Sequence, residues 1–514
     1  MSITKPAERK RYLVTLVGVL LVVFGVVALS GPGRIDIMDG QARFEVAKSL
    51  ALHGDFIVRN PAVWFSVFPG RHGDSYSNYR FPHSIVGALA VLVSDLTGPD
   101  WDGRRHFFFA LASAVAAACL ACVYFIWFTR RGLAKRQAAL WAVAGILCTP
   151  SWYYGTSTFD DIFAALAVTG ALAYGLTEGP SRSSGAAFAT GLLFGLAFNV
   201  KQPVAIFVLP AIVAFDAPGG PRRTRLMTAL AICTGLALGI AAYFGYELYK
   251  FPPETQTLHA ELLKKYLLPY PGHFWWGLAG LSVSPAAGLF WYCPSFLLAF
   301  EGLRRERTTN NRIVLALAAS GLVFFGFIAS LSFFKGDPAW GPRYLTSLYA
   351  AFWLFAPDGA RHFRHRETLI LLMLGFAVQI LAISVDPERL PLERKVPSMF
   401  GAYFPGLYFD TRLAGLLNRP REIVGIWRLR NLPIERFSWS DPATAGPQII
   451  TSDEELGSDP IHRFGRFTTF RPWWTSYQSM PGDERPVSLP WTATVLGVAL
   501  LGGVGLVRAG TGEN

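Results

Sequence analysis

The chain alternates between long apolar runs and short polar clusters along most of its 514 residues. A helix that crosses a membrane needs about 20 mostly apolar residues, with roughly 17 to 25 tolerated. By this measure the pattern predicts twelve spans, at 12–30, 107–128, 137–153, 162–177, 185–200, 203–217, 226–249, 284–301, 313–333, 343–357, 367–385 and 489–507. The sequence therefore indicates an all-α polytopic membrane protein with about 12 transmembrane helices.

The composition supports a membrane location and argues against nucleic acid as a partner. Hydrophobic residues make up 52% of the chain and charged residues 16%, whereas a typical soluble domain is about 25% charged. The formal net charge is +12, but the basic residues lie in short clusters between apolar runs. Because that distribution is typical of membrane topology, no nucleic-acid partner is predicted.

The basic clusters indicate the orientation of the spans. An even number of predicted spans precedes each cluster, so all the clusters lie on the same side of the membrane as the N-terminus. The positive-inside rule places that side in the cytoplasm. Both termini are then expected to be cytoplasmic, with the N-terminal run as a retained first helix. The clusters are KPAERKR near the start, RRGLAKR at 130–136, PRRTR at 221–225, RRER at 304–307 and RHFRHR at 361–366.

The apolar segment 84–98 is short for a span, and counting it as one would move every later basic cluster outside. We therefore predict a juxtamembrane helix on the outer surface, inside a large first outer loop at 31–106. The division that follows is a transmembrane region at 1–385, a small extracytoplasmic segment at 386–488, and a last transmembrane helix with a cytoplasmic tail at 489–514.

Charged residues, which are costly near lipid, concentrate at the outer ends of these spans. Each alone has an ordinary explanation as a helix cap, a snorkelling side chain or an interfacial aromatic. Together they fit an anionic lipid-linked substrate, whose phosphates meet Arg and Lys while a carboxylate takes a proton from a hydroxyl. The residues are Asp36, Asp39, Arg80, Asp160, Asp161, Lys201 and Arg343, with Trp340 and Tyr344 beside Arg343.

Asp39 lies where the first span ends, directly before Gly40. The backbone freedom of Gly40 is expected to turn the chain sharply into a helix that carries Phe44 and Leu50. The apolar face of that helix is expected to lie in the membrane interface. Asp39 would then sit at the level where a lipid phosphate and a water-borne acceptor meet.

An ordered set of motifs resembles bacterial integral-membrane glycosyltransferases of the GT-C class, which are relatives of protein O-mannosyltransferases and of the lipid A aminoarabinose transferase. The resemblance covers about residues 1–360, with none beyond 386. It rests on DGQARFEVAKSLALHGDFIV after the first span, YSNYRFPHSI, FDDIFAAL, SPAAGLFWYCPSFLLA and AWGPRYL.

The resemblance implies a GT-C-like fold and a sugar donor on polyprenyl phosphate, used outside the cytoplasm. It implies that Asp39 is the catalytic carboxylate of the first loop. It also implies that Asp161, with Asp160, is the acidic residue that opens the later span. Where the family string often has Lys, this chain has Asn78, with Arg80 two positions on. Either Arg80 takes over the phosphate contact or the donor sits differently.

The leading interpretation is a glycosyltransferase, hexosyl or pentosyl, in a bacterial inner membrane. Asp39 and Asp161 are the predicted catalytic residues, and Arg80, Lys201 and Arg343 the predicted donor-phosphate ligands. The predicted supporting residues are Asp36, Asp160, Trp340 and Tyr344.

A lipid-, glycan- or protein-linked acceptor is expected as the second substrate. No metal or other cofactor is required by the chemistry, although aspartate pairs could hold a divalent cation. Two alternatives stay open. A transporter or flippase of lipid-linked glycans would place charges at mid-bilayer in broken helices, and a polymerase or ligase of such glycans is poorly separated from the leading interpretation.

Overall fold

The structure is a computed structural model that describes most of the chain. The described residues are 6–390 with short gaps at 61–62, 64–65, 99–101, 180–182, 217–220, 257–260, 262–263, 265–266, 270, 337–338 and 388, and beyond them 408–429, 437–438, 448–449, 470–475 and 489–510. The predicted extracytoplasmic segment 386–488 therefore lies largely outside the described residues.

The described chain is mostly helical, as the apolar pattern predicts. The α-helices are α1 (Pro6–Ser30), α2 (Met38–His53), α3 (Phe81–Leu96), α4 (Asp102–Arg130), α5 (Lys135–Leu147), α6 (Ser151–Thr156), α7 (Asp161–Glu178), α8 (Ser184–Val200), α9 (Val208–Phe215), α10 (Arg222–Lys250), α11 (His273–Val283), α12 (Leu289–Tyr292), α13 (Phe296–Ser330), α14 (Thr346–Trp353), α15 (Ala356–Ala360), α16 (His365–Ser384), α17 (Gly415–Leu429) and α18 (Leu489–Gly510).

Short elements complete the fold. Two antiparallel pairs join β1 (Val67–Pro69) to β2 (Ser75–Ser77), with Phe68 opposite Tyr76, and β3 (Phe437–Ser438) to β4 (Gln448–Ile449). The 3₁₀ helices are Gln202–Phe207, Arg343–Leu345, Thr411–Leu413 and Trp473–Thr475.

Five helical segments are long and apolar enough to cross a membrane, within the part of the chain that the structure describes. They are Pro6–Ser30, Asp102–Arg130, Arg222–Lys250, Asn311–Ser330 and His365–Ser384. Several other predicted spans correspond to shorter helices, and the predicted span 343–357 is divided between a 3₁₀ turn, α14 and the start of α15. The protein is thus a membrane protein with transmembrane helices.

The expected break between the spans 284–301 and 313–333 is not a loop. A single helix, α13, runs from Phe296 to Ser330 through the predicted RRER turn. Nevertheless, Phe296 stacks on Phe352 with ring centroids 5.7 Å apart, and a Cβ on Gly321 would lie 2.7 Å from the same ring. In a straight helix, Phe296 and Gly321 would lie about 37 Å apart. Because both contact the ring of Phe352, α13 must bend sharply between them.

The helix after the first span is packed inside the protein rather than laid in the membrane interface. Phe44 and Ala47 of α2 are fully buried in a small core with Val91 of α3 and Phe109 of α4. Burial of a Phe side chain stabilises by roughly 1.5–3 kcal/mol. The expected interfacial position of α2 was therefore wrong, because α3 and α4 cover its apolar face.

Glycine has a different role at the start of α2 from the one expected. Gly40 is helical, and a Cβ there would clash with Oγ1 of Thr158. The left-handed residue between α1 and α2 is Gly33, with φ of 63°, a conformation that glycine adopts readily. Gly33 thus allows the turn, whereas Gly40 allows the close approach of α2 to the segment before α7.

Close packing of α8 on α10 positions Lys201, the residue that follows α8. A Cβ on Gly195 would lie 2.7 Å from Cα of Gly239, so the two backbones touch. Nδ2 of Asn199 donates to the carbonyls of Gly195 at 2.8 Å and Gly239 at 2.6 Å. Small residues at four-residue spacing commonly allow such contacts between membrane helices. They are Gly191 and Gly195 on α8, and Gly235 and Gly239 on α10.

Candidate active site

Two basic residues that the sequence analysis singled out, Lys201 and Arg343, meet at one buried carboxylate. Asp161, at the first position of α7, has a side chain only 2% exposed. It accepts a hydrogen bond of 3.0 Å from Nε of Arg343 and forms a close ion pair with Lys201. The 3₁₀ turn that begins at Arg343 and the end of α8 thus meet the start of α7 at this point.

Asp160 extends the cluster on its other side. Its carboxylate lies 3.1 Å from Nη2 of Arg43 and 3.5 Å from Nζ of Lys201. Burial alone would raise the pKa of Asp160, but the charges of Arg43, Lys201 and Arg343 hold that pKa well below its ordinary value. Asp160 is therefore an anion at any physiological pH.

Asp39 is the most weakly held of the three carboxylates. It lies on the first turn of α2, 3.6 Å from Nη2 of Arg343, and its side chain is 18% exposed. Tyr79 interacts with Asp39: burial raises the pKa of Tyr79, and the charge of Asp39 raises it further. A partly exposed carboxylate beside a neutral hydroxyl, with only a 3.6 Å contact to Arg343, is available to an incoming group.

Aromatic rings line the cationic side of the cluster. The guanidinium of Arg343 lies 3.8 Å from the centroid of the Phe159 ring and 4.9 Å from that of Tyr344. Nζ of Lys201 lies 4.9 Å from the Tyr344 centroid, and the guanidinium of Arg43 lies 4.0 Å from that of Tyr79. These contacts fix the direction of the cations and limit access of water.

Arg80 does not pair with the three aspartates. Its Nη1 lies 3.4 Å from Glu247 and 2.8 Å from the carbonyl of Asn78, and its guanidinium lies over the Tyr243 ring. The side chain is 21% exposed. It also borders Gln202, the residue next to Lys201. Arg80 is thus a neighbour of the cluster rather than a member of it.

Asp36 lies in a separate, fully buried ion pair. It accepts a hydrogen bond of 2.8 Å from Nη2 of Arg471, and bonds of 2.9 Å and 2.7 Å from the backbone and hydroxyl of Thr158. Burial raises the pKa of Asp36, but Arg471 and Thr158 outweigh it and leave that pKa lowered. Asp36 therefore connects the end of α1 to the segment 470–475, and Nε1 of Trp473 adds a bond to the carbonyl of Ala28.

Trp340 also lies away from the charged cluster. It is 1% exposed, its carbonyl accepts a hydrogen bond from the Tyr154 hydroxyl, and its ring packs on Tyr292 and beneath Arg419. It supports the turn that precedes Arg343 and connects that turn to α17. It is a core residue, not an aromatic of the membrane interface.

Three residues of this region were not singled out from the sequence. Arg43 follows Asp39 by four positions on α2, the spacing that puts two side chains on one helix face, so the Asp39/Arg43 pair was a readable signal. Tyr79 and Arg471 gave no comparable signal, because their partners lie far away in the sequence.

The charges of the central cluster balance. Arg43, Lys201 and Arg343 match Asp39, Asp160 and Asp161. Among the described residues, no group of three or more His, Cys, Asp or Glu is placed to hold a metal ion. An anion that reaches the cluster would compete with Asp39 for Arg343, since the 3.6 Å contact is the weakest of those to Arg343.

Comparison with known proteins gives one family match. Residues 104–244, from α4 to α10, match the model of the dolichyl-phosphate-mannose-protein mannosyltransferase family. The matched segment contains Asp160, Asp161 and Lys201, but not Asp39, Arg80 or Arg343. No curated protein matches the chain.

Two solved structures of the Archaeoglobus fulgidus oligosaccharyltransferase are similar to the chain. One, tethered with an acceptor peptide containing the NVT sequon, has 13% identity and a TM-score of 0.36 over 80% of this chain and 57% of that one. The other, AglB in complex with an inhibitory peptide and a dolichol-phosphate, has 11% identity and a TM-score of 0.38 over 80% of this chain and 58% of that one. The chain thus spans less than three fifths of the archaeal chains.

The family match falls on the part of the chain that contributes two of the three clustered aspartates. It agrees with the motifs that indicated a membrane-embedded transferase. The resemblance to GT-C class glycosyltransferases is thereby confirmed, and the chain is a membrane protein that is glycosyltransferase-like over residues 104–244.

Proposed function

We propose that the protein transfers a sugar from a polyprenyl-phosphate donor to an acceptor on the extracytoplasmic face of a bacterial inner membrane. The observation that carries the proposal is the contact of Asp39 with Arg343, within a cluster that also holds Lys201. This arrangement puts a base candidate beside Arg343, and Arg343 and Lys201, both paired with Asp161, suit a lipid phosphate. Orientation, with about twelve spans and both termini cytoplasmic, follows the positive-inside rule.

The reaction is an in-line displacement at the anomeric carbon. A hydroxyl of the acceptor attacks that carbon, its proton passes to Asp39, and the bond from the carbon to the phosphate oxygen breaks. The electron pair of that bond leaves with the lipid phosphate. Arg343 and Lys201 stabilise the charge that develops on the phosphate, because cations fixed in a largely dry site favour such charge more than water does.

Asp39 and Asp161 have different parts in this proposal. The phosphate takes the place of Asp39 on Arg343, which frees the partly exposed Asp39 carboxylate to accept the proton. Asp161 is buried against Lys201 and Arg343, so it orients both cations and does not reach the acceptor. No metal is required, because a lipid phosphate is an adequate leaving group.

The proposal is tested with the purified protein in liposomes that contain a radiolabelled synthetic polyprenyl-phosphate sugar. A membrane extract from cells that lack the protein supplies lipid-, glycan- and protein-linked acceptors. We expect covalent transfer of label to the extract, for a hexosyl or a pentosyl donor. Movement of the donor across the bilayer without covalent transfer would overturn the proposal in favour of a flippase. Chain extension of a lipid-linked glycan would instead identify a polymerase.

Arg80→Gln is expected to raise the KM for the lipid donor by about 10- to 100-fold, with a smaller effect on kcat. Arg80 is partly exposed and borders Gln202, the residue next to Lys201, and a charge-assisted hydrogen bond contributes about 1.5–3 kcal/mol. The measurement is initial-rate kinetics at varied donor concentration. Arg71→Gln is the matched control, because Arg71 is exposed in the same loop and contacts the carbonyl of Phe251. An unchanged KM in Arg80→Gln would place the donor phosphate elsewhere.

A further inference from the structure

A groove of about 630 Å³ lies between α1, α5, α16 and α18, in a part of the molecule that the proposed reaction does not use. Apolar side chains line most of it, among them Val22, Val143, Leu147 and Phe376, while Lys135 and Arg136 lie at one end. Leu140 at the groove is 63% exposed, so the groove opens to the surroundings of the protein.

The length of the groove matches one leaflet of a bilayer. From Lys135 to Leu147 along α5 the helix rises about 18 Å, and half of the hydrocarbon core measures about 15 Å. The deep end is closed where Gly375 of α16 packs on the carbonyl of Cys148. An acyl chain that starts at Lys135 therefore reaches mid-bilayer at the bottom of the groove.

The charged end of the groove lacks anions of its own. Arg130 and Arg131 on the preceding turn pair with Glu178 and with Glu306 and Asp358, respectively. Lys135 and Arg136 have no carboxylate partner in the part of the chain that the structure describes. These two cations are thus left for an anion from outside the protein.

The backbone at the same end also favours an anion. Lys135 and Arg136 are the first two residues of α5, whose N-cap, Ala134, has no side chain that can accept from the helix amides. The first turn contains no acidic residue. Free amides and the positive end of the helix dipole therefore point to the place where the two cations lie.

We propose that this groove binds an anionic phospholipid, with its phosphate at Lys135, Arg136 and the start of α5 and an acyl chain along α5. Basic pockets between membrane helices on the cytoplasmic side commonly bind anionic headgroups. Under the proposed orientation the lipid comes from the cytoplasmic leaflet. It bridges the terminal helices α1 and α18 to α5 and α16, on the side of the membrane opposite to the charged cluster.

The test is native mass spectrometry of the detergent-purified full chain, titrated with phosphatidylglycerol or with phosphatidylcholine. We expect one phosphatidylglycerol to be retained at least tenfold more strongly than phosphatidylcholine. The double variant Lys135→Gln/Arg136→Gln is expected to weaken phosphatidylglycerol binding by roughly 30-fold, since two basic residues at a membrane surface each contribute about fivefold.

Matched variants separate the groove from general surface charge. Arg222→Gln/Arg223→Gln removes two exposed cations at the start of α10 and is expected to leave binding unchanged. Val143→Trp fills the groove and should abolish retention with the cations intact. Equal retention of both lipids, or equal loss in both double variants, would overturn the proposal. Because the readout is lipid binding, the result does not depend on whether the protein transfers sugar.

Discussion

Asp39→Asn is expected to reduce sugar transfer by about 10²- to 10⁴-fold while protein level, melting temperature and donor binding stay near wild type. A reduction of this size is what the loss of a general base typically causes. The structural reason is that Asp39 is 18% exposed and only 3.6 Å from Arg343, so its charge contributes little to the packing of the cluster. An amide of the same shape keeps the geometry but cannot accept the proton.

The measurement is single-turnover transfer from the synthetic lipid donor, together with thermal melting of the same sample. Asp55→Asn is the matched control, because Asp55 lies in the same predicted outer loop and pairs with Arg59 away from the cluster. Burial is slight there, and the hydrogen bond from Arg59 lowers the pKa of Asp55. Full transfer by Asp39→Asn would exclude this residue from the chemistry.

The sequence indicated five members of the charged cluster but not how deeply each is buried. Asp39, Asp160, Asp161, Lys201 and Arg343 were all singled out because charge is costly at the end of an apolar run, and the structure brings all five together. The sequence does not show which carboxylate is buried. Burial depends on which cations approach from distant segments, such as Arg343 at a separation of 182 residues from Asp161.

Long-range partners also explain why the expected position of α2 was wrong and why the buried ion pair of Asp36 was not foreseen. The apolar face of α2 has the composition of an interfacial helix, and only the contact with Val91 and Phe109 shows that it is covered by protein. Asp36 resembles an ordinary residue at a span end until Arg471, 435 residues later, is seen to occupy the same buried pair. Such contacts leave no periodic trace in either segment.

The fold was more predictable where a local rule applies. Apolar runs gave the long helices, because length and composition alone decide whether a segment can cross a membrane. The continuation of α13 through RRER was not expected. The charge of these residues indicated a cytoplasmic loop between two spans. Arg and Glu also have good helix propensity, however, so the same residues can continue a helix.

Asp161→Asn is expected to lower both stability and transfer, in contrast to Asp39→Asn. The change leaves Arg343 and Lys201 largely buried beside a neutral amide, and loss of one partner of a buried ion pair costs about 3–5 kcal/mol. The loss should appear as a clear fall in the melting temperature of the detergent-purified protein. A wild-type melting temperature would contradict the structural role assigned to Asp161.

The double variant Asp161→Leu/Arg343→Met separates the contribution of the Asp161–Arg343 pair to protein stability from its contribution to sugar transfer. Replacing a buried ion pair by apolar side chains of similar size is often neutral or stabilising, and Lys201 keeps Asp160 as a partner. We therefore expect the melting temperature to recover toward wild type while transfer stays low, because Arg343 no longer meets the phosphate. Recovery of transfer together with stability would show that Arg343 only holds the fold, and would leave Lys201 and Arg80 as the remaining candidates for the leaving phosphate.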